Sequence, residues 1–239
     1  MINREETPLE IYNSGNGQPS TISSLFNLMC NYMKIQSDSI PGYYKTLNGS
    51  EYYRGYTEAE HVWNYIVIDN RTYLIDPTLG IGYCDNTQYH KSNTDFYFST
   101  NPEILIKSHF PKDDNFQLLN NIITKSQWSS YVFRTKFFYL NGLDTISPDS
   151  KNINLQNSKK IIITYDPSNY DIGVAGKFYF YSGTHLVMNR NTCSNGRIEI
   201  LVDKWYKPDN SNPMRIEIYT GTKNSPWGHA VAYYYISSW

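Results

Sequence analysis

His61 and Asp76 are the two residues whose types and spacing first point to chemistry. The runs Val62 to Ile68 and Arg71 to Ile75 are rich in β-branched and aromatic residues, and only Asp69-Asn70 separates them. That is the signal of a two-residue β-hairpin. Pairing Ile68 with Arg71 carries down the ladder to Trp63 opposite Asp76. Opposed residues share a sheet face, and so do residues two apart on one strand. His61, Trp63 and Asp76 therefore share a face, with His61 and Asp76 as diagonal neighbours within hydrogen-bond reach. Such a bond fixes the imidazole tautomer and stabilises its cation, which is the base-and-orienter half of a nucleophilic triad. A structural His–Asp pair at a strand end has the same spacing, and the spacing leaves both readings open.

A triad also needs a thiol or hydroxyl. A thiolate is favoured at a helix N-terminus, where the macrodipole and free N–H groups lower its pKa. The first helical pattern begins at Ser20-Thr21, with apolar positions Ile22, Leu25, Phe26, Met29 and Cys30, the i, i+3, i+4, i+7, i+8 spacing of one helix face. Its start holds Pro19-Ser20. Cys30 sits on the apolar stripe and reads as core. Cys30, Cys84 and Cys193 form no CxxC and no His/Cys ligand spacing, so neither a zinc site nor a disulfide framework is expected. His90, His109, His185 and His229 lack partners at ligand spacing and read as surface or internally satisfied histidines. No metal and no cofactor is expected.

These residues need elements to hold them. Residues 1–20 are polar, with Gly15, Gly17 and Pro19, and read as loop; the helix follows over 21–34. Pro41-Gly42 opens a short segment from Tyr43 to Leu47 that ends in the turn Asn48-Gly49, and the hairpin fills 61–76. A short helix is expected from Pro102 to Ser108. Beyond about 155 the chain becomes short strands divided by Gly, Pro, Asn and Asp, with Ile198, Ile200 and Val202 alternating against Arg197, Glu199 and Asp203. That spacing is the signature of a β-sandwich, with Ile216 and Ile218 also facing inward. Charge shifts near the same place: residues 151–239 hold 10 basic and 6 acidic side chains, the first 150 hold 11 and 16.

Composition excludes several classes. The 239 residues carry a net charge of −1, and aromatics reach 16%, including 23 tyrosines, which rules out wholesale disorder. No run of Lys and Arg exceeds a pair, so a phosphate-backbone binder is not expected. No apolar run approaches the length of a membrane span. The start Met1-Ile-Asn-Arg-Glu-Glu lacks the pattern of a signal peptide, and the sequons at Asn48 and Asn70 are expected by chance in so Asn-rich a chain. An intracellular, cytoplasmic protein is the expectation. The many tyrosines and tryptophans would also suit a carbohydrate groove, a reading with no other support.

His61-Val-Trp-Asn64, then Tyr73-Leu-Ile-Asp-Pro-Thr78 and Gly80, resemble the His and Asp segments of the transglutaminase-like superfamily, in its kyphoscoliosis peptidase and hillarin branch. Asp95 to Pro102, His109-Phe-Pro111 and Gln117-Leu-Leu119 follow the branch's next segment in order, and Ile216 to Tyr219 with Tyr233 to Ile236 resemble its C-terminal strands. The resemblance spans most of the chain from Gly17. It implies an α+β fold, a papain-like core of a helix on an antiparallel sheet over residues 1–150, then an Ig-like β-sandwich over 151–239. It also implies a Cys-His-Asp triad, with His61 and Asp76 as base and orienter. The departure is at the nucleophile. The family pattern runs Gly, any, Cys, any, Gly, Tyr, small, any, Leu-Phe, whereas this chain reads Gly17-Gln-Pro19-Ser-Thr-Ile-Ser23-Ser-Leu25-Phe26. Pro19 stands in the Cys position, and Ser20 is one residue, about 100° of helix, out of register. The resemblance with that departure implies a catalytically degenerate module that binds a protein or peptide partner, with the cytoskeleton as its setting. The alternative is an active acyltransferase or amide hydrolase using Ser20, or a family Cys lost by mutation.

Overall fold

The computed structural model of the chain describes residues 7–15, 17–46, 57–84, 89–154, 160–168, 171–180, 185–188, 191–202 and 213–238. It is a mixed α/β structure with a few helices and mostly antiparallel sheets. The chain divides into two compact units. Met1–Thr46 with Glu58–Thr124 forms the first, and Lys125–Trp239 makes the body of the second.

The first unit opens with α1 (Pro8–Ser14), in a stretch the sequence pattern assigned to loop. Local hydrogen bonding outweighs the polar composition there. Thr7 Oγ1 accepts the Glu10 N–H while Glu10 accepts the Thr7 N–H at 2.7 Å, a capping box with Pro8 in the first turn. Gly15, at φ 69°, closes the helix. The next helix, α2 (Pro19–Tyr32), begins two residues earlier than the pattern predicts, because Pro19 is preorganised for a first helical position. Of its apolar stripe Cys30 is buried, whereas Met29 is exposed.

β1 (Gln36–Thr46), β2 (Thr57–Ile68) and β3 (Arg71–Ile75) follow. β1 runs through Pro41, where the sequence suggested a new segment. The Pro41 carbonyl accepts the Lys112 N–H at 2.9 Å, so the strand continues. The expected turn at Asn48-Gly49 lies outside the described residues. β2 and β3 pair as the sequence predicts, from Ile68 with Arg71 to Asn64 with Ile75. Asp69 and Asn70 both have positive φ (49° and 58°), the geometry of a type I′ turn. After α3 (Pro77–Ile81) come the short strands β4 (Gly82–Cys84) and β5 (Tyr89–Lys91), which pair with each other. α4 (Pro102–Leu105), shorter than the helix expected to Ser108, and β6 (His109–Pro111) follow, with 3-10 turns at Asp95–Tyr97 and Asp114–Gln117, and the sheet order is β3-β2-β1-β6. Both faces of that sheet are covered. Cys30 of α2 packs with Ile66 and Ile75, and Trp63 and Leu74 pack with Ile40, Tyr97 and Leu105. Gly42 is where the Trp63 ring crosses β1: a Cβ there would lie 2.3 Å from the indole.

The second unit contains α5 (Lys125–Ser130), β7 (Phe133–Arg134), α6 (Lys136–Leu140), β8 (Leu143–Ser147) and β9 (Asn152–Asn154). It continues through β10 (Lys160–Tyr165), β11 (Ile172–Phe180), β12 (His185–Met188), β13 (Asn191–Ser194), β14 (Arg197–Leu201), β15 (Pro213–Thr222) and β16 (Ser225–Ser238). One sheet runs β13-β14-β10-β8; the other runs β12-β11-β15-β16-β7, with β9 joined parallel to β16. β7 and β8, which the sequence pattern places within the first 150 residues, pair with strands beyond 160. The partner of β7, β16, is distant in sequence, so no local pattern marks it. Ile161, Ile163, Ile198 and Ile200 from the first sheet and Val174, Phe178, Ile216 and Ile218 from the second enter one hydrophobic cluster. Ile198, Ile200, Val202, Ile216 and Ile218, expected to face inward, are all buried.

Candidate functional site

The hairpin brings His61 and Asp76 together as its register requires. His61 Nε2 lies 2.6 Å from Asp76 Oδ2, and both side chains are buried. Asp76 also caps α3, its Oδ1 accepting the Leu79 N–H at 2.9 Å. With Nε2 engaged by the carboxylate, Nδ1 is the ring nitrogen of His61 left for proton transfer.

A third residue, His109, joins this pair although its spacing in the sequence does not mark it. His109, read there as one more surface or satisfied histidine, is 1% exposed, and its Nε2 lies 3.0 Å from the same Asp76 Oδ2. Its Nδ1 lies 2.8 Å from Ser108 Oγ. His109 comes from β6, the far edge of the sheet, so ligand-type spacing along the chain could not find it. The signal present was its place in the His109-Phe-Pro111 segment of the resemblance. Tyr44 of β1 lies against both imidazoles, with ring centroids 5.4 Å from His61 and 4.9 Å from His109. The Trp63 ring meets His109 edge-on at 5.1 Å. The Tyr44 and Tyr97 hydroxyls are hydrogen-bonded to each other.

Burial alone would push the Asp76 carboxyl up. The charge of His61 and the hydrogen bonds from both imidazoles outweigh it and hold the group well below the usual carboxylate range. His109 is pushed down, chiefly by burial, with the Asp76 bond and charge offsetting only part. Burial and the Asp76 charge push the Tyr44 hydroxyl up, so it stays neutral.

His61, Asp76 and His109 bring three buried ligand-type atoms within 4.8 Å of one another. Both ring nitrogens, however, stand at 2.6 and 3.0 Å from one carboxylate oxygen, which is hydrogen-bond geometry. With the carboxylate ionised, each Nε2 donates a hydrogen to it, and an ion held by these three residues would have to displace both hydrogens.

The resemblance puts a nucleophile at the start of α2. Ser23, one turn after Pro19 on the same helix side, is buried and directs Oγ at the Trp63 carbonyl (3.5 Å) and Ser39 Oγ (2.7 Å). Asn64 Nδ2 donates to the Ser23 carbonyl and to Asn27 Oδ1. The side of α2 turned to β2 is therefore that of Ser23 and Asn27, on the sheet face of Asn64 and Ile66, while His61, Trp63 and Asp76 occupy the other face. Ser20 shares its side with Ser24 and Leu28, and all three are exposed. No hydrogen bond joins Ser20 to His61 among the described residues. The buried Cys30 thiol is pushed up by burial, which fits a core thiol and not a nucleophile. Of the other histidines, His90 is half-buried on β5 and His229 is exposed and stacked on Phe137 at 3.8 Å, and the side chain of His185 lies outside the described residues.

The chain is 32% identical over 145 residues to the kyphoscoliosis peptidase of Mus musculus and 30% identical over 145 residues to that of Homo sapiens. Each match covers 59% of this chain and 22% of the relative. It is 25% identical over 156 residues to cytokinesis protein 3 of Schizosaccharomyces pombe, across 59% of this chain and 18% of that protein. The chain thus spans about a fifth of the length of the curated relatives it matches. No family model matches the chain. The two relatives named kyphoscoliosis peptidase carry the name of the branch that the sequence resembles. No helix among the described residues is long and apolar enough to cross a membrane.

Proposed function

We propose that this is a transglutaminase-like module that keeps the His–Asp half of the triad and lacks the nucleophile, and that it binds a protein partner instead of turning over an amide. The observation that carries the reading is the buried 2.6 Å His61–Asp76 bond in a chain whose α2 begins with Pro19, the residue that the resemblance aligns with the family Cys. Proline has neither thiol nor hydroxyl, and triad members act as a unit, so loss of the nucleophile removes most of the rate. The residue one step on, Ser20, faces solvent. A hydroxyl so placed has no base to activate it. The finer architecture belongs to the same proposal: a papain-like core in the first unit and an Ig-like sandwich formed by the two sheets of the second. The relative named as a cytokinesis protein supports a cytoskeletal setting inside the cell for the partner.

The test is Pro19→Cys. A thiol with depressed pKa, alkylated by iodoacetamide faster than a free thiol and slowed by adding His61→Ala, supports a cleft that lacks only its nucleophile. A thiol of ordinary reactivity overturns it. Co-sedimentation of the wild-type chain with assembled actin filaments or microtubules tests the partner class, and its absence with both removes the cytoskeletal assignment.

A further inference from the structure

We propose that His109 is a positioning residue for the His61–Asp76 pair: a neutral imidazole that donates Nε2–H to Asp76 Oδ2 and accepts the Ser108 hydroxyl hydrogen on Nδ1. The proposal deepens the reading of this cluster as a triad remnant and rests on it for the meaning of the pair, though its hydrogen-bond pattern is measurable without it.

The hydrogens follow from the donor and acceptor inventory. An ionised carboxylate only accepts, so at 3.0 Å from Oδ2 the His109 Nε2 carries hydrogen. A hydrogen on Nδ1 as well would make the ring a cation. Burial opposes that, as does the second imidazole on the same carboxylate, and together they outweigh the Asp76 bond and charge and the Leu105 carbonyl, which favour the cation. Nδ1 therefore keeps its lone pair, and Ser108 Oγ, 2.8 Å away, donates to it. The competing acceptor for that hydroxyl, the Leu105 carbonyl, is farther at 3.4 Å and already accepts the Ser108 N–H at 3.0 Å. The result is a directed chain from Ser108 to His109 to Asp76.

The carboxylate at its end is held by three donors: Leu79 N–H on Oδ1, and His61 and His109 on Oδ2. Each comes from a different element, so Asp76 can neither rotate nor leave without breaking bonds to α3, β2 and β6. Two donors on one oxygen also divide its accepting power. His109 thus fixes where Asp76 points and moderates how strongly it draws the His61 hydrogen. Tyr44, against both rings, blocks the rotations that would release them.

The experiment is a two-bond ¹H–¹⁵N correlation spectrum of the imidazoles in the wild-type chain, in His109→Leu and in His109→Gln. In the wild type, His109 is expected as the neutral Nε2–H tautomer. His109→Leu, which removes the competing donor, should move the His61 Nε2–H proton downfield as its bond to Oδ2 tightens. His109→Gln, which keeps an N–H donor, should restore it. A purely space-filling role would leave that resonance in place in the leucine variant. Should His109→Leu fail to fold, Ser108→Ala decides: loss of the hydroxyl donor must shift the His109 Nδ1 resonance. A wild-type His109 protonated on Nδ1, an unmoved His61 proton in a folded leucine variant, or an unmoved His109 resonance in Ser108→Ala overturns the proposal. So does stoichiometric Zn²⁺ uptake abolished by His109→Gln, which would make the cluster a metal site. Because these spectra need no thiol, this proposal and the one tested by Pro19→Cys can fail separately.

Discussion

The two units bury different things. The first buries Ser23, Lys45, His61, Asn64, Asp76, Thr100, His109 and Gln117 among modest hydrophobic clusters. In the second, buried polar residues among those described reduce to Arg134, Arg215, Glu217 and Thr220, around a large core dominated by Ile and Val. The second unit is held by area removed from water, a term that is non-directional and tolerant of detail. The first carries a directional hydrogen-bond network at its centre, costly to break because an unpaired buried polar group is penalised, although Trp63 Nε1, Asn64 Oδ1 and Thr78 Oγ1 are themselves buried without a hydrogen-bond partner. A fold can keep such a network after its chemistry is gone, since removing one member penalises the rest.

That contrast is sharpest at Asp76. Asp76→Ala removes an α3 cap and leaves two buried imidazoles without an acceptor. The expected loss is about 3–5 kcal/mol, read as early hydrogen exchange across 57–111 with the second unit's core still protected. In the second unit Ile163→Ala should cost about 3 kcal/mol through the cavity it leaves, with no change at the His61 resonances. Equal loss of protection in both units from either variant would break the comparison.

Acid should separate the units next. Asp76 is held low, so its contribution is present above the unfolded value near pH 4 and is lost as pH falls toward the folded value. His109 is also held low, so the unfolded ring takes up a proton near pH 6.5 that the folded one refuses. Both effects have one sign. First-unit stability should decline as pH falls below about 6.5, and more steeply below about 4. In the second unit Asp166 and Glu199 are also held low, but the solvent around them screens their effect. Urea midpoints at pH 7, 5 and 4, followed by hydrogen exchange within each unit, check the difference.

What was legible in the sequence follows the same division. Period-two alternation gave the buried face of Arg197 to Val202 and of Ile216 and Ile218, and the two-residue turn gave the hairpin register and with it the His61–Asp76 bond. These signals are local. His109 was illegible from spacing because β6 reaches Asp76 only across β1 and β2. The pairing of β7 and β9 with β16, far downstream, was illegible for the same reason. α1 was legible in principle: Thr7-Pro8-Leu9-Glu10 is a capping signal that a reading of composition overlooked. It also supplies the smallest prediction, a loss of about 1 kcal/mol in Thr7→Ala confined to protection of residues 8–14.

The central claim, that the buried pair persists without a working nucleophile, is tested most directly by exposing the wild-type chain to an acyl-directed electrophilic probe and a panel of amide substrates. The account predicts no covalent mass on any residue of the α2 first turn and no turnover above a His61→Ala control. Mass on Ser20, with turnover abolished by Ser20→Ala, would contradict it and make the chain an active hydrolase.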